Sequence, residues 1–216
     1  MIEKKYPDIT SPQIDNYCRQ LCSAPSVHLQ ELDAMSQDTY DPKMISGAYL
    51  GRLLSMVSKI VRPNIILELG TYTGYGTLCL SEGLQNGGTI HTVEKNKELQ
   101  GFAKEVFDKA GITDKVVQHI GDAADLITDI DSTFDLVFID AAKRQYIKYF
   151  DLVLPKMESG GIIMADNVLW KGKIGSVDND KLGQGLDAFN KYVKENEQVE
   201  NIILPIDDGL HLIRKL

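Results

Sequence analysis

The sequence predicts an α/β fold with a mostly parallel, doubly wound sheet, an antiparallel C-terminal hairpin and N-terminal helices. Three observations predict it. From Pro63 onward, short apolar runs alternate with helical patterns. Those runs are apolar on both faces, as strands covered on both sides must be. Only a few residues join the last two runs, so that pair must be antiparallel.

The elements follow in order along the chain. Ile14, Tyr17, Cys18, Leu21 and Cys22 recur at helical spacing, with Pro12 suited to a first turn, and they are expected on a core face. A second helix is expected from Ser26 as N-cap, carrying Leu29, Leu32 and Met35. Tyr49, Leu50, Leu53, Leu54, Val57, Ile60 and Val61 mark a longer amphipathic helix that Pro63 stops. Strands are expected at Ile65 to Leu69, Thr89 to Val93, Lys115 to Ile120, Phe134 to Ile139 and Ile162 to Ala165. A helix bearing Leu99, Phe102, Ala103, Val106, Phe107 and Ala110 ends at Gly111. Another around Leu182, Leu186, Phe189 and Val193 leads to a run at Ile202 to Ile206. Asp207, Asp208 and Gly209 form a turn, and Leu210 to Leu216 is the last strand. Right-handed crossovers then give one domain, with a helical part at 1–62 and an α/β core at 63–216.

Composition bounds the function. The chain has 216 residues, 43% of them apolar and 25% charged, enough to bury a core without disulfides or metal staples. Lys and Arg number 23 against 31 Asp and Glu, a net charge of −8, which disfavours nucleic acid as a partner. No apolar stretch approaches the ~20 residues of a membrane span, so no membrane partner is expected. The start lacks a secretory signal. Three cysteines form no disulfide framework, and the expected location is the reducing cytoplasm.

Chemistry gathers where strands end. Glu68-Leu-Gly70-Thr71-Tyr72-Thr-Gly74-Tyr-Gly76 follows a strand and opens a helix. Glycines there permit a sharp turn and close approach of a ligand at the carboxyl end of the sheet. The spacing is not that of a dinucleotide fingerprint. The acid at Glu68 would repel phosphate but suits a cationic, ribose-bearing ligand. Glu94, ending the next strand, is placed to accept from both ribose hydroxyls. Asp122, beside Ala123, either caps a helix or accepts from an adenine amino group. Asp140 ends the fourth strand, and Asp166 with Asn167 ends the fifth. Adjacent strands lie ~4.8 Å apart, so these three oxygen donors can converge on a hard cation, Mg²⁺ or Ca²⁺. His28, His91, His119 and His211 are scattered in sequence, which argues against zinc.

Taken together, these residues resemble the cation-dependent, class I S-adenosylmethionine-dependent O-methyltransferases of the catechol and caffeoyl-coenzyme A type. The resemblance runs from about Met44 to Leu216 and implies a Rossmann-like methyltransferase fold. It makes Met44-Ile-Ser46-Gly47 the segment that caps the cofactor and Glu68 to Gly76 the first cofactor motif. Glu94 becomes the ribose acid, and Gly121-Asp122-Ala123 the adenine-side turn. Asp140, Asp166 and Asn167 match the metal ligands, for Mg²⁺ or another divalent cation such as Ca²⁺ or Mn²⁺, with Asp140 also beside the cofactor. Lys143 matches the catalytic lysine, and Asp166-Asn-Val-Leu-Trp170 and Pro205-Ile-Asp-Asp-Gly-Leu210 are similar to family segments. Ala142 departs from the pattern, where many members carry Asp. A homodimer is implied, and a small phenolic substrate with two adjacent hydroxyls.

In the implied mechanism both hydroxyls chelate the metal, which acidifies one of them. Lys143 takes or shares the proton, and the oxyanion attacks the sulfonium methyl in line. Trp170 either walls the aromatic ring or simply packs. Two other readings stand beside this one: an NAD-dependent oxidoreductase, and a methyltransferase-like binding module without catalysis. Glu68 and the missing glycine fingerprint oppose the first, and intact Asp140, Lys143, Asp166 and Asn167 oppose the second.

Overall fold

The computed structural model describes residues 9–36, 47–174 and 180–216. Met44 and Ser46, expected to cap a cofactor, lie outside the described residues, as does part of the segment after Lys173. Three helices come first: α1 (Pro12–Leu21), α2 (Val27–Ser36) and α3 (Gly47–Val61). An alternation of strands and helices follows: β1 (Ile65–Leu69), α4 (Tyr75–Ser81), β2 (Thr89–Glu94), α5 (Leu99–Ala110), β3 (Val116–Ile120), α6 (Ala123–Asp129) and β4 (Phe134–Ile139). Then come α7 (Tyr146–Val153), β5 (Met157–Ala165), α8 (Lys181–Glu195), β6 (Val199–Leu204) and β7 (Leu210–Lys215).

The strands form one seven-stranded sheet in the order β3-β2-β1-β4-β5-β7-β6. The first five are parallel, and β7 runs antiparallel to both β5 and β6. Chain order reverses between β1 and β4, which makes their carboxyl ends the switch point where such sheets bind ligands. Alternation along the strands feeds two cores. Leu67, Leu69, Val137 and Ile163 pack with α6, α7 and α8, while Ile66, Ile90, Leu136 and Phe138 pack with α2 to α5. The expected strand at Ile162 begins earlier, at Met157.

The first helix forms where expected, with Pro12 in its first turn and Cys22 just beyond its end, but its apolar positions do not make a core face. Ile14, Tyr17 and Leu21 are 54%, 63% and 68% exposed, and the buried residue of α1 is Asp15. A long-range polar contact overrides the pattern. Arg19 donates to Asp15 (2.8 Å), reaches Asp207 in the β6–β7 turn, and lies 4.8 Å from the centre of the Tyr49 ring. The helix is thus docked by its charged side. Ile60, expected on the buried stripe of α3, is likewise exposed.

Candidate active site

The loop after β1 is tied down on both sides. Gly70 takes φ +104°, and a Cβ there would collide with the carbonyl oxygen of Asp140, so glycine is what lets β1 and β4 end side by side. The amides of Gly70 and Thr71 both donate to Val93 O, at 2.9 and 3.2 Å, and the Thr71 and Thr92 hydroxyls meet at 2.6 Å. Tyr72 holds a left-handed backbone, φ 48°, while its amide donates to Glu94 Oε2 at 2.9 Å. Glu94 Oε1 accepts from Asn96 N at 2.8 Å. The carboxylate expected to meet a ribose is therefore oriented by two main-chain amides, with lone pairs left for further donors.

Glu68 occupies a different place from the ligand-facing one expected. It is wholly buried and accepts from Thr92 (2.6 Å) and from Thr77 in α4. Burial pushes its carboxyl up to about 7, against the two threonine hydrogen bonds, with Asp140 and Glu94 adding to the rise. Its Oε1 has no partner and faces Gly76, where a Cβ would strike it. Glu68 braces the loop from beneath. Asp122 does cap α6, accepting from Ala124 N at 3.1 Å, while Lys95 and Gln145 engage its other oxygen at 3.0 and 3.5 Å. The hydrogen bond from Lys95, then that from Ala124, holds its carboxyl below the ordinary range. Ala123 begins the helix and is buried.

At the other end of the cleft the strands deliver the acids together. Asp140 N donates to Leu69 O at 2.8 Å and Asp166 N to Ile139 O at 3.0 Å, so the ends of β1, β4 and β5 are laced in one row. Asp140 forms an ion pair with Lys143. Asp166 is 5% exposed, and burial, then Asp140, raises its carboxyl well above the ordinary value. Asn167 follows with φ 61°, its amide donating to Asp166 Oδ1 at 2.7 Å. Burial opposes charge on Lys143, but Tyr146, Asp140 and Asp166 outweigh it and hold the amine above an ordinary lysine. Among the described residues no three His, Cys, Asp or Glu side chains gather as a metal cluster. The expected trio contains an amide, and one of its carboxylates is paired with Lys143.

Two neighbours of this row were not foreseen. Asp208 is buried, accepts from Lys171 N, and is pushed up to about 6 by burial against that hydrogen bond. The sequence marks it as a turn residue inside the family-like segment Pro205 to Leu210, without a role of its own. The signal was the antiparallel register, since Ala165 faces His211 across β5 and β7, which brings the turn beside Asp166. Tyr146 also belongs here, its hydroxyl 3.0 Å from Asp166 O. Trp170 Nε1 donates to Asp180 at 2.8 Å, and Lys171 sits over its ring. The histidines are less scattered than expected. His91 and His119 touch at 3.0 Å on adjacent strands, away from the acids, because both point to one face of the β2–β3 pair.

Comparison with known proteins agrees with this architecture. The family model described as O-methyltransferase matches residues 20–216. A caffeoyl-CoA O-methyltransferase of Zea mays is 30% identical over 186 residues, 80% of this chain and 72% of that protein. One from Stellaria longipes is 26% identical over 96% of this chain and 92% of its own length. Among solved structures, the SAH-bound methyltransferase PaMTH1 of Podospora anserina superposes with a TM-score of 0.86 at 27% identity, covering 94% of each chain. TomG of Streptomyces achromogenes, an O-methyltransferase of tomaymycin synthesis in complex with SAM, gives 0.84 at 26% identity, covering 100% of this chain and 99% of its own. The chain belongs to the O-methyltransferase family. It is an enzyme, a methyltransferase, which sets aside the oxidoreductase and the non-catalytic module. Among the described residues no helix is long and apolar enough to cross a membrane.

Proposed function

We propose that this enzyme transfers a methyl group from S-adenosylmethionine to one hydroxyl of a small vicinal dihydroxy aromatic, in a reaction that needs a divalent cation. The observation that carries the reading is the row Asp140, Asp166, Asn167 and Lys143 at the carboxyl ends of β4 and β5, next to the Gly70–Tyr72 turn and Glu94. The bound SAH and SAM of the two similar structures support the choice of cofactor. In this reading Gly70, Thr71 and Tyr72 offer backbone to it, Glu94 takes the ribose hydroxyls, and Asp122 with Ala123 borders the adenine. Gly76 lets Glu68 support that turn.

Asp140, Asp166 and Asn167 fit a hard cation by donor type, since all three offer oxygen. The fit rests also on the burial of Asp166 beside Asp140, two carboxylates that repel each other, with Lys143 paired to one of them. A bound Mg²⁺, or Mn²⁺ or Ca²⁺, would supply Lewis acidity toward a coordinated hydroxyl. The chain's own residues do the rest. With Asp140 and Asp166 holding the cation, their support for the Lys143 ammonium would weaken, and its Nζ, once its extra proton is lost to solvent, would take the acceptor's proton. Trp170 stands just beyond Asn167, placed to border an aromatic acceptor. The test is turnover of S-adenosylmethionine with a catechol panel, with Mg²⁺ and in excess EDTA. Full turnover in EDTA, with metal confirmed absent, would sink the proposal. The exposed Ile14, Tyr17 and Leu21 on α1 favour a homodimer, which light scattering would read as twice the chain mass.

A further inference from the structure

We propose that Asp208 is a positioning residue for the acceptor side of this site, holding the turn Asn167–Lys171 in the conformation that sets Trp170 in place. The inference rests on the proposed function only in taking Trp170 as the border of the acceptor. Asp208 lies in the turn between β6 and β7 and is 2% exposed. Its Oδ1 accepts from Lys171 N, and its carbonyl oxygen accepts from Leu169 N at 2.9 Å. Gly209 O accepts from Val168 N at 3.1 Å, and a Cβ on Gly209 would collide with the Leu169 side chain. The hairpin turn thus grips the loop after β5 at Val168, Leu169 and Lys171, on both sides of Trp170.

That loop needs an outside hold. Asn167, Trp170 and Lys171 all take left-handed backbones, with φ of 61°, 44° and 59°. Side-chain-bearing residues keep such a conformation only where their surroundings over-determine it. Inside the loop, Trp170 N donates to Asn167 O at 3.2 Å and Lys173 N to Trp170 O at 3.0 Å. The amide between Trp170 and Lys171 goes outward instead, to Asp208 Oδ1. Among the described residues Asp208 Oδ2 has no hydrogen-bond partner, so the bond to Lys171 N is the one directed contact of this carboxylate. Burying an acid for a single bond is unfavourable for the fold as a whole. What this acid contributes is the course of the turn. Asn167 stands at one end of that turn, and toward the other stands the Trp170 ring, with Nε1 on Asp180 at 2.8 Å. Asp208 therefore couples the seating of the hairpin to where the ring lies.

Asp208→Ala removes the side-chain acceptor and keeps the main-chain contacts. Trp170 is the only tryptophan, so its fluorescence reads the turn without turnover. In Asp208→Ala its emission should move to longer wavelength, and its quenching constant with acrylamide should rise about twofold as the turn loosens. Asp208→Asn keeps an oxygen for Lys171 N and should return both readings to wild type, which a role through charge alone would not allow. With Mg²⁺ and a catechol, kcat/KM for the acceptor should fall about tenfold to a hundredfold in Asp208→Ala. S-adenosylhomocysteine should bind the same variant within about twofold of wild type, since the cofactor turn lies on the other side of the cleft. Wild-type fluorescence in Asp208→Ala, unchanged acceptor kcat/KM, or equal losses in Asp208→Ala and Asp208→Asn would each overturn the inference. So would a loss of cofactor affinity as large as the loss of acceptor kcat/KM, which would report general loosening. If the fluorescence changes as expected but the wild type turns over no catechol with Mg²⁺, the proposed function fails and the hold on the turn stands. If Asp208→Ala does not fold, Asp208→Leu fills the volume without an acceptor and takes its place under the same expectations.

Discussion

Replacing Glu94 separates its duty to the cofactor from its duty to the loop. The wild-type carboxylate accepts from Tyr72 N at 2.9 Å and Asn96 N at 2.8 Å, and in the proposed function from two ribose hydroxyls as well. Hydrogen bonds to a charged acceptor contribute ~1.5–3 kcal/mol each, but neighbouring ones are not additive. Glu94→Ala removes the acceptor altogether and frees Tyr72, whose left-handed backbone, φ 48°, then relaxes and unmakes the turn. A loss of ~3 kcal/mol follows, about a hundredfold in affinity. Glu94→Gln keeps one oxygen for one amide but sets an NH₂ group against the other, so a loss of ~1.5 kcal/mol is expected, about tenfold. Titration calorimetry with S-adenosylhomocysteine at fixed ionic strength reads both. If Glu94→Ala leaves the dissociation constant within twofold of wild type, the ribose lies elsewhere. If Gln and Ala weaken binding equally, the two main-chain tethers contribute nothing and the argument from the loop is wrong.

Asp166→Ala should abolish Mg²⁺-dependent turnover while S-adenosylhomocysteine binds within about twofold of wild type; loss of cofactor affinity with metal affinity intact would show the ligand set to be misassigned. Lys143→Ala should lower kcat by ~10²–10⁴ without altering cofactor binding, and near-full kcat at pH 7 would remove the lysine from proton transfer. His211 is buried between Asn190 and Asn201, each 3.0 Å from a ring nitrogen, and burial pushes it down to about 4. Its unfolded value is ~6.5, so the stability it confers is full above that value and is lost as pH falls from there through the folded value. Urea denaturation should therefore lose ~1.4 kcal/mol per pH unit from this group between those limits, and His211→Gln should flatten that part of the curve; an identical slope in the variant would assign the loss to the carboxylates.

The sheet was legible because its strands are buried on both faces, so Ile65–Leu69 and Phe134–Ile139 stand out as apolar runs bounded by glycine or acid. The acids at their ends were legible for the same reason, since a strand that stops at Asp140 or Asp166 fixes where the carboxylate emerges. What escaped depends on contacts that local pattern does not encode. The apolar stripe of α1 predicts a buried face, but Arg19 is held by Asp207, a partner 188 residues away, and that contact sets the helix's rotation. Glu68 looked like a ligand residue because it precedes a glycine loop, and strand alternation turns it instead toward Thr77 and Thr92. Tyr146 escaped because nothing local in the sequence shows that its hydroxyl meets Asp166 O across the sheet end.

The strand order has a kinetic corollary. β7 lies between β5 and β6, although β6 precedes it along the chain. While a ribosome is still adding residues 210–215, β5 presents an open hydrogen-bonding edge and β6 has no neighbour to dock on. Five parallel strands can assemble early, but the sheet cannot be completed by sequential addition at its rim. β6 can reach the sheet only through β7, so β7 has to seat on β5 before its hairpin partner or together with it. During that interval the open edge of β5 can recruit a strand from another nascent chain. Since Asp208 and the end of β5 come together only when the hairpin seats, the acceptor side of the cleft is assembled last. In the proposed function, a nascent chain would thus acquire its cofactor turn before it acquires a place for the methyl group to go.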